Sequence, residues 1–281
     1  MLFFLFASVI AESIVETVNN DPSSTWVAIE YPREVITLAK MRAMLGEEVL
    51  PLEDVEYVEP NNVPENFDAR EQWPGKIYPV RDQASCGSCW AHAASEAIGN
   101  RFSIKGCGKG MLSVQDLVSC DKGDSGCNGG SGPLSSKWLV SNGVTTEECL
   151  PYVSGNGRVP ACAAKCSNGS QIIRYKYEKA ETYTVQNIQE ELMKNGPVYF
   201  RFTVYSDFMN YKSGVYQHKS GYQEGGHAVL LIGWGVEDGV PYWLLQNSWG
   251  PAWGEKGHFK IIRGKNECGC EQGFYAGPVK C

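Results

Sequence analysis

The sequence predicts an α+β protein of two lobes, preceded by a separate N-terminal segment. Patterns typical of helices dominate the chain before residue 197, and β-type runs dominate after it. Cysteine, glycine and aromatic residues become dense only from about residue 63 onward. With 281 residues and 43% hydrophobic side chains, the chain is long enough to bury the core of one or two domains.

Residues 1–13 are predicted to be a signal peptide. The run M-L-F-F-L-F-A-S-V-I-A is apolar, too short to cross a bilayer as a helix, and followed by polar residues that suit cleavage near Ala11 or Ser13. No other run is long enough to span a membrane. Eleven cysteines also indicate an oxidising compartment. We therefore expect the secretory pathway, with a lysosome-like or vacuole-like acidic compartment or the extracellular space as destination.

Residues 14–62 are predicted to form a removable segment. Apolar residues recur at helical spacing before Gly46, which could end the helix: Val35, Leu38, Met41, Ala43 and Leu45. Residues 51–63 are acidic and contain Pro51 and Pro60, which favour an extended, exposed linker suited to proteolytic cleavage.

The elements after residue 63 follow the same order as the fold class. A helix is predicted over 88–102 with Ser88 as its cap, because apolar residues from Trp90 to Phe102 line one face. Shorter helices are expected over 112–118, 134–140 and 186–194. β-type runs follow at 198–204, 227–235, 241–247 and 258–262.

Cys89, in A-S-C-G-S-C-W-A-H at 84–92, is a candidate nucleophile. It stands at the start of the predicted helix, where free N–H groups and the helix dipole favour a thiolate and should lower the thiol pKa. The spacing allows three other roles for Cys89: a redox pair with Cys86, a zinc ligand and a structural disulfide partner. No βαβ pattern surrounds the pair, and the other cysteines and histidines lack zinc-ligand spacing. No metal and no cofactor are expected.

Two histidines could serve Cys89 as a base. His92 lies on the same helix among alanines and is interpreted as a packing residue. His227 opens an apolar strand, and a hairpin around E-D-G at 237–239 would place it nearly opposite Asn247. The amide oxygen of Asn247 could then hold one ring nitrogen, leaving the other for the thiol.

Further residues complete this candidate site. Gln83 and the Cys89 amide could donate to a developing oxyanion, and Gly129-Gly130 could admit a substrate backbone. Trp249 could shield the contact between His227 and Asn247 from water. The net charge of −7 and the lack of a long Lys/Arg run argue against a nucleic-acid partner.

The motifs Q-x-x-C-G-S-C-W-A, G-C-N-G-G, G-G-H-A and N-S-W-G-x-x-W-G occur in the order of the papain-family cysteine proteases, whose signature C-G-S-C-W matches 86–90. The sequence resembles the cathepsin B-like branch most, through V-P-E-N-F-D-A-R-E-Q-W at 63–73 and N-G-P-V at 195–198. The resemblance implies a papain-like fold with a helical left lobe, a β-barrel-like right lobe and an active-site cleft between them. It also implies a propeptide over 14–62, running through the cleft and removed near Asn62–Val63, and a peptidase domain over 63–281.

The resemblance assigns roles residue by residue. Cys89 would be the nucleophile, His227 the base and acid, Asn247 the orienting residue and Gln83 the oxyanion donor of a cysteine endopeptidase that forms a thioester acyl-enzyme. Substrate-binding positions would be Gly129, Gly130, Arg201, Ala228, Trp249 and Gly273. Implied disulfides are Cys86–Cys127, Cys120–Cys162 and Cys149–Cys166.

Four further cysteines have no implied partner: Cys107, Cys268, Cys270 and Cys281. Cys268 and Cys270 are too close in sequence to bridge each other, and the two remaining pairings stay open. Five disulfides are expected in the folded chain, with Cys89 as the odd thiol.

The sequence departs from the cathepsin B pattern at two functional regions. The stretch 149–166 lacks the paired histidines and extra cysteines of the occluding loop, which predicts an open cleft and little peptidyl-dipeptidase activity. At the second substrate subsite, Gly273 replaces a glutamate unless Glu271 takes its place. Arg201 replaces a small wall residue, where it could narrow the subsite, favour an acidic side chain or point to solvent.

Expected partners are protein and peptide substrates, the chain's own propeptide as inhibitor, and cystatin-like inhibitors, with the protein acting as a monomer. The main rival is a non-catalytic binding protein of the same fold. Such proteins usually lose the nucleophile or the base, whereas Gln83, Cys89, His227 and Asn247 are all present here.

Overall fold

The computed structural model describes residues 13–281, so the predicted signal peptide lies outside the described residues apart from Ser13. Within 13–281, no helix combines the length and the apolar character that a membrane crossing requires. The helices found there are α1 Ile14–Asn20, α2 Leu38–Met44, α3 Ala69–Gln72, α4 Cys89–Ile104, α5 Val114–Cys120, α6 Gly132–Ser141 and α7 Ile188–Asn195.

The N-terminal segment holds two short helices where the sequence indicated one helix-like stretch. Ser13 and Glu16 form a capping box that starts α1, and Thr37 caps α2 through its side chain. Between them the chain is extended and forms a short strand, β1 Trp26–Ala28. Helix α2 ends at Met44, two residues before the expected stop at Gly46.

Nine strands are described, and their order agrees with helices first and strands later: β1 Trp26–Ala28, β2 Phe67–Asp68, β3 Glu181–Tyr183, β4 Val198–Tyr205, β5 Tyr211–Tyr216, β6 Gln223–Glu237, β7 Val240–Gln246, β8 His258–Ile262 and β9 Phe274–Ala276. They form one sheet in the order β1-β5-β8-β7-β6-β4-β9-β3, and β2 pairs with β6 off this path. The sheet is open, so the expected barrel-like lobe is corrected to a curved sheet whose ends do not meet.

The central hairpin differs in register from the prediction. Asp238 and Gly239 both have positive φ and form the tight turn between β6 and β7. Leu230 therefore pairs with Gln246, and a bulge lies between Leu231 and Gly233. The predicted pairing of residues 227 and 247 across the ladder is wrong, because the true turn lies later than the assumed centre at residue 237.

Each lobe has its own buried core. The left lobe packs α4 against α5 and α6 around Trp90, and the right lobe is centred on aromatic side chains around Phe208. Helix α4 also packs against β6 and β4, which joins the two lobes. The N-terminal segment contributes Trp26, Met41 and Met44 to the right-lobe core, so it is docked on the protein.

The three implied disulfides are present, together with a fourth: Cys86–Cys127, Cys120–Cys162, Cys149–Cys166 and Cys107–Cys281. Cys268 and Cys270 are free and buried, as is Cys89. The expectation of five disulfides is therefore wrong. The C-terminal Cys281 lies beside the end of α4, which leaves the two closely spaced cysteines without a partner.

Candidate active site

Cys89 is the first residue of α4, as the sequence indicated, and it is fully buried. The helix begins after Ser88, whose side chain makes no capping hydrogen bond. Its hydroxyl is instead hydrogen-bonded to Tyr152, 2.9 Å away. Backbone amides of Ala228, Gly46 and Trp90 lie near the sulfur of Cys89 and favour its thiolate form. The thiol thus lies between the helix start, strand β6 and the N-terminal segment.

His227 and Asn247 come together although they do not face each other in the ladder. Nε2 of His227 donates to Oδ1 of Asn247 over 2.8 Å, and the same oxygen accepts from the Ser248 amide at 2.8 Å. Within residues 13–281, Nδ1 of His227 has no hydrogen-bond partner. The Trp249 ring lies 4.9 Å from the imidazole and covers this contact. Asn247 therefore holds Nε2 of His227, and Nδ1 is available to accept a proton.

The Cys89 thiol and the His227 imidazole are both uncharged at neutral pH in the intact chain. Burial, and to a smaller extent the nearby Glu47 carboxylate, raises the pKa of the Cys89 thiol to about 12. Burial lowers the pKa of His227 to about 4. The expected lowering of the Cys89 pKa is wrong for this state, because burial outweighs the helix N-terminus and the surrounding amides.

The reason for this burial is a segment of the chain itself. Residues 44–47 lie across Cys89: the Gly130 amide donates to the Gly46 carbonyl at 2.8 Å, and the Glu47 amide donates to Gly226 at 3.1 Å. Gln83 Nε2 donates to the carbonyls of Met44 and Cys86, each at 2.8 Å. The side chain proposed as oxyanion donor is therefore occupied by a backbone carbonyl of the N-terminal segment.

The glycine pair lies where a bound backbone passes. A Cβ on Gly129 would lie 2.9 Å from the carbonyl oxygen of Gly46, and one on Gly130 would lie 2.5 Å from the Trp90 ring. Both contacts are too close for a side chain. Glycine at 129 is needed for the segment to pass, whereas glycine at 130 is needed for the close packing against Trp90.

Ser248 is a functional candidate that the sequence reasoning missed. Its hydroxyl donates to Gln83 Oε1 at 2.7 Å and so turns the amide nitrogen of Gln83 toward the cleft. Its position between Asn247 and Trp249 was the available signal. Glu47 and Tyr199 were missed as well, since nothing in their local sequence shows that the two side chains meet.

Two positions proposed for the second subsite both lie at Tyr275. Arg201 on β4 pairs with Ala228 on β6 and is buried beside the Tyr275 ring. Gly273 lies at the hydroxyl end of that ring, since a Cβ there would be 3.0 Å from the tyrosine hydroxyl oxygen.

Two alternatives that the sequence left open are decided by these positions. Arg201 does not point to solvent, because it is buried. Glu271 accepts hydrogen bonds from Trp243 and from the amides of Gly264 and Asn266, so it is held inside the right lobe and does not replace the missing glutamate.

His92 is a packed side chain. Its Nδ1 hydrogen-bonds the Ser88 carbonyl at 3.0 Å, its ring lies edge-on to Tyr152, and burial lowers its pKa to about 3. These contacts hold the first turn of α4 and leave no reason to expect proton transfer at this residue.

Comparison with known proteins decides the family. A family model described as papain family cysteine protease matches residues 63–277, well over half of the chain. The chain belongs to the papain family of cysteine proteases. Cathepsin B-like cysteine proteinase 4 of Caenorhabditis elegans is 40% identical over 311 residues, covering 96% of this chain and 92% of the relative. Cathepsin B-like CP3 of Giardia intestinalis is 47% identical over 227 residues, covering 78% and 76%.

Solved structures support the same family, and one of them is a cathepsin B. The procathepsin B S9 of Trypanosoma congolense superposes with a TM-score of 0.86 at 31% identity, covering 95% of this chain and 97% of that one. The procathepsin L2 of Tenebrio molitor larval midgut superposes at 0.74 with 27% identity, covering 91% and 84%. This protein is therefore a cathepsin B-like thiol protease of papain-like fold, which hydrolyses peptide bonds and has a zymogen form.

Proposed function

We propose that the protein is a cysteine endopeptidase that acts through Cys89, His227 and Asn247 and is made as a secreted zymogen. The observation that carries this proposal is the His227 ring, held by Asn247 at Nε2 with Nδ1 free, in the same buried cleft as a thiol at a helix N-terminus. Residues 14–62 would be the propeptide and residues 63–281 the peptidase domain.

Removal of the propeptide starts the mechanism, because it returns water to the cleft and takes the Glu47 carboxyl group away from Cys89. The causes that raise the Cys89 pKa and lower the His227 pKa then weaken together. The thiol proton moves to Nδ1 of His227, giving a thiolate beside an imidazolium. The helix N-terminus and the amides around the sulfur stabilise the thiolate.

The thiolate attacks the carbonyl carbon of the scissile peptide bond. The oxyanion is held by Gln83 Nε2, freed from the Met44 carbonyl, and by the Cys89 amide. The C–N bond breaks as His227 gives its proton to the leaving amine, which leaves a thioester on Cys89. His227 then takes a proton from water, the hydroxide attacks the thioester, and the acid product departs with the thiol restored.

The propeptide would act as an inhibitor because it fills the site without offering a bond for attack. Its Met44 carbonyl occupies the Gln83 donor, and the Gly46 amide lies near the Cys89 sulfur. Cystatin-like inhibitors are proposed to compete for the same cleft. We propose a monomer acting on protein and peptide substrates in an acidic compartment of the secretory pathway or outside the cell.

Labelling of Cys89 tests the proposal. The full chain, processed to its active form, should take up one equivalent of an epoxysuccinyl thiol-protease inhibitor at Cys89, with parallel loss of hydrolysis of a fluorogenic peptide. Mass spectrometry of tryptic peptides locates the label. His227→Ala should lower kcat/KM by about 10⁴-fold or more, since it removes the base of the unit. A folded, processed sample that neither labels nor hydrolyses would transfer the proposal to the rival binding function.

His92→Phe is the matched control for His227→Ala. Both variants replace a buried histidine near Cys89, but His92 contributes only a hydrogen bond to Ser88 and contacts with Tyr152. Its loss should change kcat/KM by less than about tenfold, the scale of one neutral hydrogen bond. A loss comparable with that of His227→Ala would contradict the assignment of the base.

Cleavage inside peptides is expected to exceed release of C-terminal dipeptides. The stretch 149–166 contains no histidine that could bind a substrate carboxylate, and it is tied down by Cys149–Cys166 and Cys120–Cys162. Products of a peptide with a free C-terminus and of its amidated twin should therefore match by mass spectrometry. Dipeptide release from the free form alone, at a rate rivalling internal cleavage, would contradict endopeptidase action.

A further inference from the structure

Beside Cys89, the Glu47 side chain is surrounded by Tyr199, Arg201, Tyr275 and the backbone of Gly132; we call this environment the Tyr199–Arg201 pocket. Tyr199 and Arg201 are two residues apart on β4, so their side chains share one face of the sheet. Tyr199 pairs with Tyr275 on β9, and their rings meet edge to face at 5.9 Å. A Cβ on Gly132 would lie 2.4 Å from the Tyr275 ring, so this wall closes tightly.

The pocket is filled by a carboxylic acid. Glu47 is only 7% exposed, and its backbone bridges Gly130 on one side of the cleft and Gly226 on the other. The Tyr199 hydroxyl donates to Glu47 Oε2, whereas Glu47 Oε1 is buried without a hydrogen-bond partner among residues 13–281. The Gly132 amide lies close enough to lower the pKa of this carboxyl group. Glu47 follows Gly46, whose amide faces the Cys89 sulfur. The pocket therefore receives the side chain next to the residue that lies on the nucleophile.

Arg201 supplies the positive charge of the pocket. It is 7% exposed, its guanidinium lies over the Tyr275 ring at 5.8 Å, and its Nε has no hydrogen-bond partner within residues 13–281. No ion pair of Arg201 within 4.0 Å is found in that part of the chain, so the cation is buried without a directly paired carboxylate. Leaving a buried cation unpaired is costly, and a carboxylate brought into the pocket lowers that cost.

The charges around the occupant oppose one another. Burial raises the pKa of Glu47 to about 8, whereas the Tyr199 hydrogen bond and the Arg201 charge lower it. Asp124, across the pocket, raises it, and burial together with Asp121 raises the pKa of Asp124 itself to about 7. Asp124 is therefore partly protonated near neutral pH. Arg201 is the group near Glu47 that stays charged at every relevant pH.

We propose that the Tyr199–Arg201 pocket selects substrates with an acidic residue, glutamate in the first place, at the position two residues before the cleaved bond (P2). The propeptide uses the same preference, with Glu47 standing in the place of the substrate side chain. This inference rests on the proposed function and specifies its substrate class. It assigns to Tyr199 the donor to the carboxylate and to Arg201 the charge that separates glutamate from its neutral isostere glutamine.

The test uses the full chain after processing and three fluorogenic peptides that differ only at P2, with Glu, Gln or Leu. Active enzyme is counted by titration with the epoxysuccinyl inhibitor, so a poorly folded variant does not imitate a change in selectivity. Burial raises the pKa of Glu47 in this pocket to about 8, so recognition of an ionised carboxylate by Arg201 must outweigh that cost. At pH 6, where a free glutamate side chain is ionised, this recognition should make kcat/KM for Glu exceed that for Gln by about tenfold or more.

Four variants separate the charge from the pocket shape. Arg201→Met should bring the Glu to Gln ratio close to one, and Arg201→Lys should retain part of it. Tyr199→Phe removes one hydroxyl and should lower the Glu to Gln ratio several-fold. This variant provides the test if Arg201→Met does not fold. Arg158→Met, at an exposed arginine of the 149–166 stretch, is the matched control and should keep the full ratio.

The outcomes distinguish a failure of the acidic P2 preference from a failure of the peptidase function. Hydrolysis with preference for Leu or Gln over Glu, or an unchanged ratio in both Arg201→Met and Tyr199→Phe, would overturn the acidic preference and leave the peptidase function standing. Absence of hydrolysis of all three peptides, with no labelling of Cys89, would remove the proposed function and this inference with it.

Discussion

In the intact chain, the Cys89 thiol should react with iodoacetamide at least a thousandfold more slowly than in the processed enzyme. With its pKa raised to about 12 by burial and by Glu47, only about one thiol in 10⁵ is ionised at pH 7. After removal of the propeptide, the thiolate stabilised by His227 should form the major part. Intact-mass spectrometry follows labelling of both species in one sample, because the two chains differ in mass.

The rate of Cys89 labelling should depend on pH differently in the intact chain and in the processed enzyme. A thiol whose pKa is raised is protonated at all pH values below it, so the labelling rate of the intact chain should rise about tenfold per pH unit from pH 6 to 9. The processed enzyme should instead show a plateau over this range. Cys268 and Cys270, whose pKa values are raised by burial, serve as internal controls that should stay unlabelled in both. Equal rates for Cys89 in the two forms would contradict the role of the propeptide.

Gly46→Val should release the propeptide from the cleft. A Cβ on Gly46 would lie 2.1 Å from the Gly87 carbonyl oxygen, a backbone atom fixed beside the Cys86–Cys127 disulfide. Because neither backbone can move aside, the segment must leave Cys89, at a cost of about 1–3 kcal/mol or more in docking free energy. Labelling of Cys89 in the intact Gly46→Val chain should therefore rise by about tenfold to a hundredfold over the unchanged chain.

Ala43→Val is the matched control for Gly46→Val. It adds a larger β-branched side chain within the same segment, at an exposed position on α2 that does not contact the cleft. Its labelling rate should stay within about threefold of the unchanged chain, since the substitution costs only helix propensity. If both variants label alike, general loosening of the segment and not the contact at Gly87 would explain the release.

The sequence was most informative where local chemistry decides structure. The start of α4 at Cys89 followed from an apolar helix face, whereas the expected capping by the Ser88 side chain is wrong, because that hydroxyl bonds Tyr152 instead. The α+β order followed from periodicity, and three disulfides followed from family resemblance. The hairpin register was wrong, because it depends on the two positive-φ residues of the turn and on one bulge. The partner of Cys107 could not be read from spacing, since Cys107 and Cys281 are 174 residues apart in sequence and meet only after folding.

By itself, the sequence determined the identity of the reacting groups: a thiol at a helix start, a histidine, an asparagine and a glutamine in one family order. Only the tertiary structure decided their charge state and their occupant. The pKa of Cys89 and that of His227 depend on burial under residues 44–47, which are distant in sequence. The meeting of Glu47 with Tyr199 and Arg201 likewise depends on how an N-terminal segment lies on a sheet formed near the C-terminus. Burial and charge act through space, so residues far apart along the chain decide them together.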